Sequence, residues 1–229
     1  MLFFYLKIKT IEEDTPKTLD SFQKMKYNNG DKKWESVQAL YRKTNSYNQI
    51  ILKEPGITAD LIKISKDTGV VMVGLDRRLK EKDSFLRKVN TDSDHSLDSQ
   101  IIKDTINLTN DVIRYTYQSS PFTLLESYKS VYKQMSNKGY KTVKVKNTWL
   151  DKRSVYKGVN CVFESPEGQR FEVQFHTPES FNLKNGEMHK LYEESRKDTT
   201  SPARRAELNI KMFELSSQLE IPAYIDQVK

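Results

Sequence analysis

Cysteine is nearly absent from this chain. Cys161 is the one cysteine in 229 residues, so no disulfide can close within the chain and no multi-cysteine zinc site can form. Histidine is scarce too: the three, His95, His176 and His189, do not make a metal-binding helical pair. Glycine loops that cradle phosphates are missing, since neither G-x-x-x-x-G-K-[ST] nor G-x-G-x-x-G occurs. No motif supports a Ser or Cys triad. Long apolar runs are missing as well. The run from Met1 to Leu6 has no basic stretch ahead of it and no small-residue cleavage site, and it is too short for a signal peptide or a spanning helix. It reads as a buried first strand or as the remnant of a longer parent. No later stretch reaches bilayer length, so no membrane partner is expected. There is no internal repeat and no low-complexity tract.

What is present bounds the class. Apolar residues make up 36% and charged residues 30%, enough to bury a core under a well-solvated surface. The net charge of +7 attracts polyanions such as nucleotide phosphates, tRNA or DNA, although lysine-rich surfaces also serve solvation alone.

The periodicities give a mixed picture of helix and strand. Residues 11–33 are polar and turn-rich. Trp34, Val37, Leu40 and Tyr41 fall at helical spacing between Lys33 and Lys43. A second, shorter helix is predicted from Thr58, with Thr58 as its N-cap and Gly69 at its end. Val70 to Leu75 reads as a buried strand, followed by a basic helix from about Lys82 or Asp83. Residues 92–99 read as loop, 100–109 as the start of a helix, and Ile113 to Tyr117 as strand. Ser120-Pro121 suits the cap and first position of a helix carrying Leu124, Leu125, Tyr128, Val131 and Met135 on one stripe, closed by Gly139. Three strands follow: Tyr140 to Trp149, Gly158 to Glu164, and Gln169 to Thr177, the last two joined through Pro166-Glu-Gly168. Helices are expected over Glu187 to Arg196 and from Ser201-Pro202 to Leu219. The expected fold is α+β, a mixed sheet with flanking helices in one catalytic-sized domain.

Five clusters can carry chemistry. Arg77-Arg-Leu-Lys-Glu-Lys-Asp-Ser-Phe-Leu-Arg-Lys88 places Arg78, Lys80, Ser84 and Lys88 at R-x-K-x-x-x-S-x-x-x-K spacing, where guanidinium forks and lysine point charges can meet a polyphosphate. Asp111-Val-Ile-Arg114 offers a carboxylate for metal and an arginine for phosphate; strand alternation separates them unless the strand starts after Asp111, and Asp104 is the alternative carboxylate. Tyr156-Lys-Gly-Val-Asn160 sets an aromatic ring beside a glycine turn, a platform for a base. Phe171-Glu-Val-Gln-Phe-His-Thr177 puts Glu172, Gln174 and His176 on one face of a core-quality strand, the lining of a cleft in which Glu172 can hold Mg²⁺ or take a proton. On the helix after it, His189 and Glu193 share a face near Arg196, an arrangement that fits surface polar pairs.

Taken in order, the segments RRLKEKDSFLRK, DVIRYTY, YKGVN and FEVQFHT resemble the synthetase domain of RelA/SpoT proteins, a nucleotidyltransferase-type fold, over about residues 70–196. The resemblance implies an ATP-dependent pyrophosphokinase. Arg78, Lys80, Ser84 and Lys88 would meet the ATP phosphates, with Arg77 near the adenine. Asp111 and Glu172 would hold Mg²⁺, Arg114 would bind phosphate, and Glu172 would help activate the acceptor hydroxyl. Tyr156, Lys157, Asn160, Gln174 and His176 would face the acceptor. Lys157, Asn160 and His176 stand where the family's Y-R-S-L-H and I-R-T carry Arg, His and Arg. These departures leave GDP, GTP, ADP, ATP and the tRNA 3′ end open as acceptors. They resemble stand-alone, toxin- or phage-associated branches, which implies a growth-inhibiting toxin in the cytoplasm, its own or a target cell's, with a neutralising antitoxin partner. Nucleotidyl or ADP-ribosyl transfer on the same scaffold, or an inactive nucleotide- or RNA-binding module, are the alternatives. The expected division is a helical extension over 1–55, the synthetase domain over 56–200 and a packed C-terminal helix over 201–229.

Overall fold

A computed structural model describes residues 31–228. The apolar run Met1–Leu6 and the polar stretch up to residue 30 lie outside the described residues. The elements in order are α1 (Asp31–Thr68), β1 (Val71–Val73), a 3₁₀ turn (Leu75–Arg77), α2 (Lys82–Asp92), α3 (Ser99–Leu108), β2 (Arg114–Gln118), α4 (Leu124–Asn137), β3 (Lys141–Asn147), β4 (Val159–Glu164), β5 (Arg170–His176), α5 (Pro178–Asn185), α6 (Glu187–Ser195), α7 (Pro202–Ser217) and a 3₁₀ turn (Ile225–Gln227). Helices and a five-stranded mixed sheet make this an α+β fold. No described helix is long and apolar enough to cross a membrane.

The chain forms two compact units. Among the described residues the first comprises 31–52 together with Lys80–Thr109, hence the first part of α1 with α2 and α3. Within it, Tyr47 packs its ring against Phe85 and donates its hydroxyl to the Lys80 carbonyl at 2.7 Å, and Lys43 donates to Asn90. Asp98 caps α3 by accepting from the Gln100 and Ile101 backbone N–H groups.

The second unit comprises Lys53–Leu79 and the residues from Asn110 onward, and it contains the sheet. Strand order is β1-β2-β5-β4-β3. Neighbours run antiparallel except β2 and β5, which pair in parallel at the centre. Alternation assigns the faces. Tyr115 and Tyr117, Phe171, Val173 and Phe175, and Val159, Cys161 and Phe163 are fully buried on one face. Tyr117 stacks on Phe175, and Tyr128 of α4 meets Phe175 edge-on. The end of α1 closes the same layer: Ile57, Leu61 and Ile64 are buried, Tyr117 donates to the Leu61 carbonyl, and Tyr115 shares a hydrogen bond with Thr58.

Several sequence expectations give way here. The two predicted helices are one, and residues 31–33 belong to it. α1 runs through Pro55 because its last turns are held by the sheet, so packing outweighs the local proline penalty. Thr58 is therefore mid-helix and bonds Glu54 instead of capping. β1 is an edge strand with Val71 exposed rather than a buried one. Thr123, not Ser120, precedes α4, since 121–123 form a turn first. Helix α5 went unpredicted, yet Thr177, Pro178 and Ser180 form a full capping box with proline in the first turn.

Candidate active site

The sheet's second face is polar at its centre. Register places Arg114 of β2 beside Glu172 of β5, and Thr116 beside Gln174. From the other side Asn160 of β4 lies beside Gln174. Asp111 precedes β2 in an irregular segment, so the face conflict with Arg114 does not arise. Its charge acts on Glu172, whose carboxyl sits above the ordinary range. Burial is the main cause, Asp111 adds to it, and Gln174, Arg114 and Lys184 oppose it. Two carboxylates, the charge of one acting on the other, are the kind of pair that would take a hard divalent cation such as Mg²⁺; no cluster of three or more acidic, histidine or cysteine ligands occurs among the described residues. Asp104, the alternative, is exposed on α3 and accepts from Gln100.

α5 brings Lys184 over this face. Its ammonium donates to Gln174 Oε1 at 2.5 Å and lies 5.9 Å from the centre of the Tyr156 ring. Burial and the neighbouring Arg114 cation push its pKa down to about 8, with Glu172 pulling the other way. Two adjoining cavities share Arg77, Arg114, Lys184 and Asn185. The smaller, about 280 Å³, adds Gly74, Asp76, Thr116 and Phe181. The larger, about 580 Å³, adds His189 and a wall of Val155, Tyr156, Met188, Tyr192 and Met212. Met188, Leu191, Leu208 and Met212 form the small core that supports this wall. One end of the larger cavity is thus cationic and the rest apolar or aromatic, the profile of a nucleotide site.

Tyr156 is held by a chain of polar contacts. Its hydroxyl donates to Asn160 Oδ1 and lies 2.8 Å from His176 Nε2. His176 Nδ1 lies 2.9 Å from Ser180 Oγ. Ser180 Oγ also donates to the Thr177 carbonyl at 3.2 Å and accepts from the Thr177 backbone N–H. Burial, with Glu172 adding, holds the tyrosine hydroxyl well above its usual pKa, so it stays a neutral donor. His176 is fully buried, and burial with the Lys184 cation pushes its pKa down to about 3. Gly158 lets the pair approach: a Cβ there would lie 2.7 Å from His176 Cε1 and 2.9 Å from the Tyr156 hydroxyl.

The neutral His176 sets an acid limit. Unfolded, it takes a proton near its ordinary 6.5; folded, it refuses one until about 3. Between those values the unfolded state binds more protons, so stability falls as pH falls. Urea unfolding should lose roughly 3 kcal/mol from this group between about pH 7 and about pH 4. His176→Gln should flatten that slope; an unchanged slope in the variant refutes the assignment.

The remaining sequence-predicted residues divide. Arg77, mostly exposed beside Asp76, lines both cavities. Arg78 is anchored instead: its guanidinium holds the buried Glu54 at 2.5 Å and the Leu75 carbonyl at 2.9 Å. Lys157 turns from the cavity and donates to the carbonyls of Thr148, Trp149 and Asp151. His176 and Asn160 reach the cavity only through Tyr156. Lys80, Ser84 and Lys88 belong to the first unit, where Ser84 accepts from Arg87 and Lys88 pairs with Asp92. His189 lines the larger cavity rather than serving only as a surface pair. Lys184 is the residue sequence reasoning missed. Its signal was the capping box of α5, which fixes a helix whose seventh residue returns over β5.

No family model matches the sequence, and no curated protein matches it. Solved structures do. The small alarmone synthetase 1 from Bacillus subtilis bound to its product pppGpp aligns with a TM-score of 0.50 at 17% identity, over 82% of this chain and 92% of that one. The Type VI effector Tas1, solved in complex with its immunity protein, aligns at 0.49 and 18% over 76% and 93%. A GTP pyrophosphokinase family protein from Streptococcus pneumoniae aligns at 0.45 and 13% over 75% and 85%. The first of these shows the fold, that of the small alarmone synthetase, as the motif order had implied.

Proposed function

We propose that the chain transfers pyrophosphate from ATP to a ribose hydroxyl of a purine nucleotide or of a tRNA 3′ end, with Mg²⁺. The observation that carries this reading is the larger cavity, where Arg77, Arg114 and Lys184 meet an aromatic wall beside Glu172. A protein of the same fold was solved holding its product pppGpp, which supports a nucleotide polyphosphate in such a site.

The acceptor oxygen bonds to the β-phosphorus of ATP. The bond from that phosphorus to the bridging oxygen breaks, and AMP leaves with the oxygen. The acceptor proton passes to Glu172, whose raised proton affinity brings it nearer to a useful base. Asp111 and Glu172 would hold Mg²⁺, which when bound would neutralise phosphate charge. Arg77 and Arg114 clamp phosphate oxygens, and the Tyr156 ring, fixed through its hydroxyl, carries the acceptor base. A growth-inhibiting role with a neutralising partner protein belongs to the same proposal and rests on the sequence resemblance.

The test uses γ-labelled ATP and Mg²⁺ with GDP, GTP, ADP, ATP or deacylated tRNA offered in turn. Label in one acceptor with stoichiometric AMP is the expected result and names the acceptor. Transfer of label from α-labelled ATP, run in parallel, would establish nucleotidyl transfer. Consumption of NAD would establish ADP-ribosyl transfer, and ATP binding without turnover a binding module. Each of these overturns the proposal.

A further inference from the structure

We infer that Lys184, with Arg114, forms an anion-binding subsite at the junction of the two cavities, taking the phosphate group that moves between the nucleotides. The substrate class rests on the transfer reading above; the subsite rests on geometry. Arg114, Lys184, Arg77 and Asn185 are the residues common to both cavities, so a group passing from one to the other passes them. Arg114 belongs to β2 in register with Glu172, and Lys184 reaches from α5 to Gln174, two residues further along β5.

A purely structural lysine would not be placed this way. The hydrogen-bond partner of its ammonium is a neutral amide oxygen, Gln174 Oε1, and its other neighbour is the face of the Tyr156 ring. Arg114 repels it. Glu172 is the carboxylate that opposes this repulsion, so two cations share a single negative charge, and a pyrophosphate carries several more for them to share. The Gln174 bond fixes the ammonium, so little side-chain entropy remains to be lost on binding. Thr116, register partner of Gln174, adds a hydroxyl-bearing side chain to the smaller cavity. Lys184 thereby acts as a positioning group for the substrate's phosphates, distinct from the carboxylates that would hold metal.

The experiment is calorimetric titration of inorganic pyrophosphate into the full chain at fixed ionic strength, without nucleotide or metal, with sulfate as the comparison anion. Wild type should bind pyrophosphate more tightly than sulfate. Lys184→Met should weaken pyrophosphate about tenfold or more, and Lys184→Arg less than about threefold. The ligand-free melting temperature of Lys184→Met should change little, the lost Gln174 bond being offset by removal of a cation that burial and Arg114 disfavour. Lys184→Gln, which can still bond Gln174, decides by the same criterion if Lys184→Met does not fold. Wild-type affinity in the neutral variant, or no preference for pyrophosphate over sulfate in wild type, overturns the inference. Lys184-dependent binding in a protein that moves no label would instead sink the transfer reading and leave the subsite standing.

Discussion

Glu172→Gln should lower pyrophosphate transfer about a thousandfold or more while leaving the protein folded. The glutamine keeps the shape and the contact with Gln174 but removes the charge that would hold metal and accept the proton. Because burial already disfavours that charge, its loss should not lower the melting temperature. Binding of ATP should survive, since Arg77, Arg114 and Lys184 are untouched. The pair of measurements is the initial rate of label transfer and a thermal melt. Near wild-type rates in a folded variant would remove Glu172 from the chemistry and with it the carboxylate reading of the site.

Gly158→Ala should be a damaging single methyl beside Tyr156, which lines the larger cavity. The added carbon would meet His176 and the Tyr156 hydroxyl inside contact distance, and neither is the loose end of a flexible chain. One of them must move, which breaks the contact chain from Ser180 to Asn160. The expected cost is about 1–3 kcal/mol of stability in urea unfolding. The KM for the acceptor should rise more than the KM for ATP, since the Tyr156 ring loses its anchor. Equal rises in both, or neither, would dissociate the ring from acceptor binding.

Much of the fold was legible because its signals are local. All five strands show in local sequence, β1 as a short apolar run, β2 as β-prone residues and the last three as alternation, and a mixed sheet with helices follows. The hairpin between β4 and β5 announced itself in Pro166-Glu-Gly168, with Gly168 in the left-handed region. What failed depended on distant packing. Pro55 looks like a helix end until Ile57, Leu61 and Ile64 are seen under the sheet. The site divides along the same line. Glu172, Gln174 and His176 share a face by simple alternation, so their meeting was predictable. That Arg78 pairs with Glu54, that Lys157 is consumed by loop carbonyls, and that Lys184 arrives over Gln174 are three-dimensional facts with no periodic trace.

The parallel pairing of β2 with β5 has a consequence for how the protein comes into being. Arg114 and Glu172 are register partners in that pair, with a helix and two strands between them in the chain. β3, β4 and β5 can zip as successive hairpins, each contact close in sequence, but β2 must then dock by closing a long loop. The cation and the carboxylate therefore meet only in the slowest kind of contact the topology contains. A chain that has zipped its hairpins without closing that loop lacks the pairing of Arg114 with Glu172.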